Sequence, residues 1–288
     1  MSEKQAQEYL AQADKKLTGW SFFGGGSQKY DDAAELYIKA GNTFKLAQRP
    51  SEAGDAFMKA AEMHGKSSDT KFEAAKDFDL AAKSYKKTRP DAAVNALMQA
   101  IAIDKDIGNF RAAARHHQDV AEIFENEMGD LRKAWTHYDQ AAQLFQADDS
   151  PANANKCILK AAHFAAQLED YNAAIEKFES VAEQSVDNQL TKWSLKDYFM
   201  KSVLCQLCTR DIVRAKQSMQ KYAHMDMSFE RTREYSFLQN IITAVEEGDV
   251  DLFTKEVYDF DQLTKFDDWK TTILLRIKKS VDEEPDLL

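Results

Sequence analysis

Three windows decide how this chain folds: KFEAAKDFDLAA at residues 71–82, PDAAVNALMQAI at 90–101 and FRAAARHHQDVA at 110–121. Each carries alanine three residues in, at Ala74, Ala93 and Ala113. Working outward, the same register starts at Tyr30, Pro50, Lys71, Pro90, Phe110, Leu131, Pro151 and Tyr171, and the alanine recurs at Ala33, Ala53, Ala134, Ala154 and Ala174. Seven residues in stands a larger group, Tyr37, Phe57, Phe78, Leu97, Tyr138, Ile158 or Phe178, with His117 the exception. Small or apolar pairs follow at offsets ten and eleven, such as Ala60-Ala61 and Ala141-Ala142. Offsets 3, 4, 7, 10, 11 and 14 form one face of an α-helix. Each unit is therefore a helix plus a turn, and a small residue at a constant height lets successive helix axes approach closely.

Two units make a helical hairpin that cannot bury its apolar stripe alone, so the hairpins must stack. The expected fold class is all-α: a right-handed α-solenoid of TPR-like helical hairpins, about twenty residues per helix unit, closed by a C-terminal helical bundle. Only 10 Gly and 4 Pro in 288 residues agree with a nearly all-helical chain. The expected organisation is an N-terminal helix and an aromatic, glycine-rich loop at 1–29, the repeats at 30–185, the helical bundle at 186–281 and an acidic tail ending in Leu-Leu at 282–288. The loop, Trp20-Ser21-Phe22-Phe23-Gly24-Gly25-Gly26-Ser27, puts aromatics before a glycine hinge. They either cap the first hairpin or offer apolar tips to a membrane or partner. No Gly-Lys-Ser/Thr follows, so it is not a phosphate cradle.

A formal charge of −10 disfavours nucleic acid as a partner. Three cysteines make no disulfide framework, and the polar start Met1-Ser2-Glu3-Lys4-Gln5 is unlike a secretory signal. The expected location is cytoplasmic, with any membrane association peripheral. A search for chemistry returns little. Cys205 and Cys208 match a redox or zinc pair by spacing, but they fall inside a helix with no second pair, so buried thiols are expected. His116 and His117 are adjacent and point to different faces, and the remaining histidines are scattered. The acidic residues read as solvated helix faces. Neither a catalytic residue nor a metal site nor a cofactor is expected.

A second periodicity concerns charge. Five residues into alternate units stand Lys76, Arg115 and Lys156, and the same count from 191 reaches Lys196, while Asp55, Asn95, Thr136 and Glu176 occupy that offset between them. Offset 5 lies nearly opposite the apolar stripe, so these cations should face water, with Lys160 one turn beyond Lys156. A basic column on a net-acidic chain suits an elongated acidic partner.

Several strings together resemble the soluble NSF attachment proteins, the SNAP family, of the alpha/beta type. They are the Phe22-Phe23-Gly24 loop, Asn155-Lys156-Cys157-Ile158-Leu159-Lys160, Leu195-Lys196-Asp197-Tyr198-Phe199 and the segment from Trp269 to Lys279, followed by the Leu287-Leu288 end. The resemblance implies a non-enzymatic adaptor that binds assembled SNARE four-helix bundles and recruits the hexameric AAA+ ATPase NSF, several copies surrounding each bundle. It assigns Arg115, Lys156, Lys160 and Lys196 to the SNARE bundle, Phe22 and Phe23 to the membrane surface, and Glu246 and Glu247 to NSF. Leu287 and Leu288 would stimulate the ATPase. Lys76 rests on periodicity alone. The alternative is a generic TPR-like scaffold or co-chaperone that holds acidic peptides.

Overall fold

The computed structural model of the protein describes residues 3–18 and 28–283, and every regular element among them is helical. The helices are α1 (Glu3–Thr18), α2 (Gln28–Leu46), α3 (Pro50–His64), α4 (Lys71–Tyr85), α5 (Pro90–Asp106), α6 (Phe110–Ile123), α7 (Leu131–Ala147), α8 (Pro151–Gln167), α9 (Tyr171–Ser185), α10 (Leu195–Cys208), α11 (Ile212–Met225), α12 (Arg233–Glu247), α13 (Val250–Leu263) and α14 (Asp268–Asp282). From α3 to α9 each helix begins on the residue that opens its sequence register, and α2 begins two residues before Tyr30. All eight repeat alanines are buried, none more than 1% exposed, and the eight residues at offset 7 are buried above them, His117 included. The fold is a TPR-like stack of helical hairpins.

The chain divides into two compact units, Met1–Cys157 and Ile158–Leu288. In the first, helices pack in chain order, α1 on α2 through to α6 on α7. In the second the order gives way to a hub: α10 packs on α9, α11, α12 and α14. Ten of its residues, from Leu195 to Leu207, are buried. A helix apolar all round belongs inside a bundle. Gln206 Nε2 donates to Ser218 Oγ at 2.9 Å, leaving the buried Gln206 Oε1 without a partner, and Ser202 Oγ lies 2.8 Å from the Tyr222 hydroxyl.

Several connections share one construction. A left-handed residue closes one helix, at Gln48, Gly108, Gly129, Asp149, Glu169 and Gly248. The next residue turns its N–H back to the helix just ended, as from Asn109 to Asp104 O at 2.7 Å, Ser150 to Phe145 O at 2.8 Å and Asp170 to Ala165 O at 2.9 Å. That is a Schellman closure. In several turns the same residue also caps the following helix: Asn109, Asp130, Asp170 and Asp249 each accept from a backbone N–H three residues on. One residue thus ends a helix and starts another, which leaves the hairpin geometry little freedom.

Two glycines mark where helices come closest. A Cβ on Gly41 of α2 would sit 2.8 Å from the Phe57 ring of α3, and one on Gly54 of α3 would sit 2.4 Å from the Tyr85 ring of α4. Tyr85 cannot easily yield, because its hydroxyl donates to Asp55 Oδ1 at 2.6 Å and the Arg89 guanidinium stacks 4.7 Å above its ring. Gly54→Ala is therefore expected to lower stability by about 1–2 kcal/mol in urea unfolding, the overpacking outweighing the roughly 1 kcal/mol that alanine gains in helix propensity. Unchanged or raised stability would show that the Tyr85 ring has room to move.

Candidate partner-binding surfaces

The helix starts fix where the cations stand. Lys76, Arg115 and Lys156 are each the sixth residue of their helix, on α4, α6 and α8, and all three are exposed. Lys76 lies 4.1 Å from the centroid of the half-exposed Phe72 ring, and Lys76 and Arg115 border one cleft of about 390 Å³. Lys160 is exposed one turn after Lys156 on α8, with Phe164 beneath its ammonium.

Lys196 is different. A short 3₁₀ turn, Lys192–Ser194, precedes α10, so Lys196 is the second residue of its helix and not the sixth. Its periodic spacing from Lys156 therefore does not reflect an equivalent place in a repeat. A cation in the first turn opposes the helix dipole, and Glu234 compensates with a carboxylate 2.8 Å away. The side chain stays 48% exposed, so it can still meet a partner.

Glu246 and Glu247 are exposed at the C-terminal end of α12, just before the left-handed Gly248. Two carboxylates there sit where the helix dipole repels negative charge. Lys216 of α11 holds Glu246 with contacts of 2.5 and 2.6 Å. Sequence periodicity offered no sign of Lys216 or Glu234, because neither shares a helix with its partner. Phe22, Phe23, Leu287 and Leu288 lie outside the described residues.

The expected inert thiols are found: Cys157 and Cys205 are buried, and burial pushes the Cys157 and Cys208 thiols up to about 11. The expectation that acidic residues merely coat the helix faces fails at Asp77 and Asp104, which are 4% and 1% exposed. Asp77 meets His64 Nδ1 at 2.7 Å inside the first unit. The histidines are less scattered than their numbering implies. His117 Nδ1 lies 3.0 Å from His137 Nδ1, and burial, then His137, pushes His117 down to about 3. Among the described residues no helix is long and apolar enough to cross a membrane.

A family profile described as soluble NSF attachment protein, SNAP, matches residues 4–282. The chain belongs to the SNAP family, and to its alpha/beta type. The alpha-soluble NSF attachment protein of Mus musculus is 42% identical over 290 residues, 99% of this chain and 98% of that one. That of Dictyostelium discoideum is 43% identical over 287 residues, again 99% and 98%. The probable vesicular-fusion protein sec17 homolog of Schizosaccharomyces pombe is 41% identical over 282 residues, 98% and 97%.

Two of the strings that carry the SNAP resemblance meet in the second unit. Asp197 of α10 takes Lys201 at 2.8 Å on one oxygen and Lys270 of α14 at 2.7 Å on the other. Next to Lys270, the Trp269 indole N–H donates to His163 O at 3.1 Å. Arg276 donates to Ala166 O at 2.8 Å and Gln167 O at 2.9 Å, closing the C-terminal carbonyls of α8. These motif residues hold the unit together. Burial works against the Asp197 carboxylate, but Lys201 and Lys270 more than offset it and hold it below its ordinary 3.8. A lowered carboxylate stabilises the fold above the unfolded value and loses that contribution as pH falls through the folded one. Asp197→Asn leaves Lys201, 10% exposed, without its carboxylate and Lys270, 15% exposed, with Asp267 alone, while the Asp197 carboxylate itself is 36% exposed. The variant should be less stable by about 1–3 kcal/mol at pH 7, and its deficit should shrink below pH 3.8. Urea unfolding at pH 7 and pH 3 measures both, and an equal deficit at the two pH values would show that the carboxylate's charge is not what matters.

Proposed function

We propose that this chain is an adaptor that binds assembled SNARE complexes and both recruits and stimulates NSF for their disassembly, in membrane fusion and vesicle-mediated protein transport, ER–Golgi transport included. The observation that carries the proposal is the SNAP family match across residues 4–282. In this reading Arg115, Lys156, Lys160 and Lys196 meet the acidic rod of the SNARE bundle, and all four are exposed. Each surface ion pair contributes only ~0–1 kcal/mol. Such contacts grip loosely and tolerate many sequences, as a recycler of different SNARE complexes requires. Several copies around one rod would multiply them by avidity. Glu246 and Glu247 meet NSF, and their cost at the end of α12 favours a role outside the fold. Phe22 and Phe23 touch the membrane surface, and Leu287 with Leu288 couples docking to ATP hydrolysis. The protein works in the cytoplasm, peripherally attached to membranes. In this scheme the repeats at 30–185 form the gripping surface, and the helices at 186–281 present the NSF-facing acids.

The charge-reversed pair Lys156→Glu and Lys160→Glu should weaken binding to a preassembled SNARE bundle by about 2 kcal/mol at low salt, roughly thirtyfold. The deficit should narrow as salt rises, with helicity by circular dichroism unchanged. Unchanged binding at low salt would remove these lysines from the interface, and a wild-type chain that captured neither NSF nor the bundle would favour the generic scaffold.

A disassembly assay separates the terminal roles. Leu287→Ala should still recruit NSF yet slow disassembly of both soluble and liposome-anchored bundles. Phe22→Ser with Phe23→Ser should slow only the anchored ones, each phenylalanine contributing roughly 1.5–3 kcal/mol of apolar transfer. Normal rates for the first variant, or equal loss on both substrates for the second, would sink the respective assignment.

A further inference from the structure

The cleft bordered by Lys76 and Arg115 also holds a cluster that the adaptor function leaves unused. One ligand atom from each of Asp79, His116 and Asp119 lies within 4.8 Å of the others. Asp79 comes from α4, whereas His116 and Asp119 are three residues apart on α6 and so share a face. The two nitrogens of His116 have unequal surroundings. Nε2 lies 3.3 Å from Asp104 Oδ2, and Nδ1 is buried with no hydrogen-bond partner. Asp104 is 1% exposed, its Oδ1 accepts from Asn109 Nδ2 at 3.1 Å, and its Oδ2 makes no hydrogen bond and faces the imidazole at ion-pair distance. A carboxylate that orients one ring nitrogen while the other stays open is the arrangement found behind metal-bound histidines.

Charge agrees with this. Asp79 and Asp119 bring two carboxylates to the cluster, and among the described residues no ion pair of Asp119 with a lysine or arginine is formed. Lys83 contacts Asp79 Oδ2 at 2.6 Å, but the lysine side chain is 65% exposed and can swing into water. Asp79 then has both oxygens to offer.

We propose that Asp79, His116 and Asp119, with Asp104 orienting the imidazole, bind one divalent transition-metal ion of the zinc class. One imidazole and two carboxylates match the donors such ions accept, with water completing a four-coordinate shell. Bonds of about 2.0–2.2 Å place neighbouring donors roughly 3.3 Å apart, a contraction that side-chain rotation can supply. The bound ion ties α4 to α6 and cancels two negative charges beside Lys76 and Arg115. Metal occupancy therefore stiffens this pair of helices and makes the cleft more basic.

Calorimetric titration of the full chain with zinc chloride should give one ion per chain with micromolar or tighter affinity. Cobalt should bind with visible absorption bands of nitrogen–oxygen coordination. Zinc should raise the melting temperature by several degrees, since it binds only the folded chain. Asp119→Asn on α6 and Asp79→Asn on α4 are isosteric and lie on different helices, so one remains informative if the other misfolds. Each should weaken zinc at least tenfold while circular dichroism in metal-free buffer stays helical. Unweakened zinc binding in both folded variants would place the ion elsewhere, at the cysteines for instance. Absence of binding at 100 micromolar zinc, or equal affinity for magnesium, would overturn the proposal.

Discussion

The close contact of helix against helix through alanine is what the rest of this structure depends on. At each repeat the third-offset alanine is fully enclosed, and the larger group one turn later fills the space the small residue leaves to its neighbour. Where even alanine is too large, at Gly41 and Gly54, the facing aromatic ring lies against the backbone. Interaxial distances in such packing follow the side chains at the contact, so a constant small residue keeps the spacing constant from hairpin to hairpin. The turns enforce the same regularity. Because one residue ends a helix and caps the next, an inserted residue would lose the Schellman bond or the cap, not merely lengthen a loop.

That regularity explains which parts of the molecule were legible in the sequence. From Pro50 to Tyr171 the apolar period and the helix starts are the same information, since proline at the first position or a capping Asn or Asp opens each helix but α4, which follows Thr70 without a side-chain cap. The hub is less legible because α10 is buried on every side from Phe199 to Leu207, and a stretch without a polar face has no period to read. The starts of α12 and α13 are set locally, by Thr232 and Asp249, each capping through its side chain. Left-handed residues other than glycine, such as Glu169 and Arg210, could not be seen at all, because nothing in their chemistry demands that conformation.

For the candidate surfaces, position was legible and partnership was not. The exposure of Lys76, Arg115 and Lys156 follows from helix geometry alone. That Glu234 holds Lys196 and Lys216 holds Glu246 follows from tertiary packing, which no spacing within one helix encodes. The cluster at His116 had a partial signal, its three-residue spacing from Asp119, but Asp79 and Asp104 reach it from other helices. Adjacent His116 and His117 do point to different faces as expected, and each face turns out to hold a polar cluster of its own.

The distribution of charge separates what serves the fold from what is left over. Asp197, Lys201, Lys270 and Arg276 are spent inside the second unit, where each buried charge finds an opposite charge or a carbonyl. Their strings are the same ones that mark the family, so a long family motif here reports packing as much as binding. Lys196, Glu246 and Glu247 stand instead at helix ends of the wrong polarity, where they cost stability. Their neighbours Glu234 and Lys216 reduce that cost without burying them, and Lys196, Lys216 and Glu246, each about half exposed, can exchange one partner for another at little expense, although Glu234 is itself only 14% exposed. An internal ion pair that water already screens can be replaced by a partner's charge. The Asp197–Lys270 pair is less replaceable, because Lys270 is only 15% exposed and has little water to turn to once the pair opens. Exposure of the pair, more than the presence of a charge, therefore divides the surface available to partners from the framework that holds it.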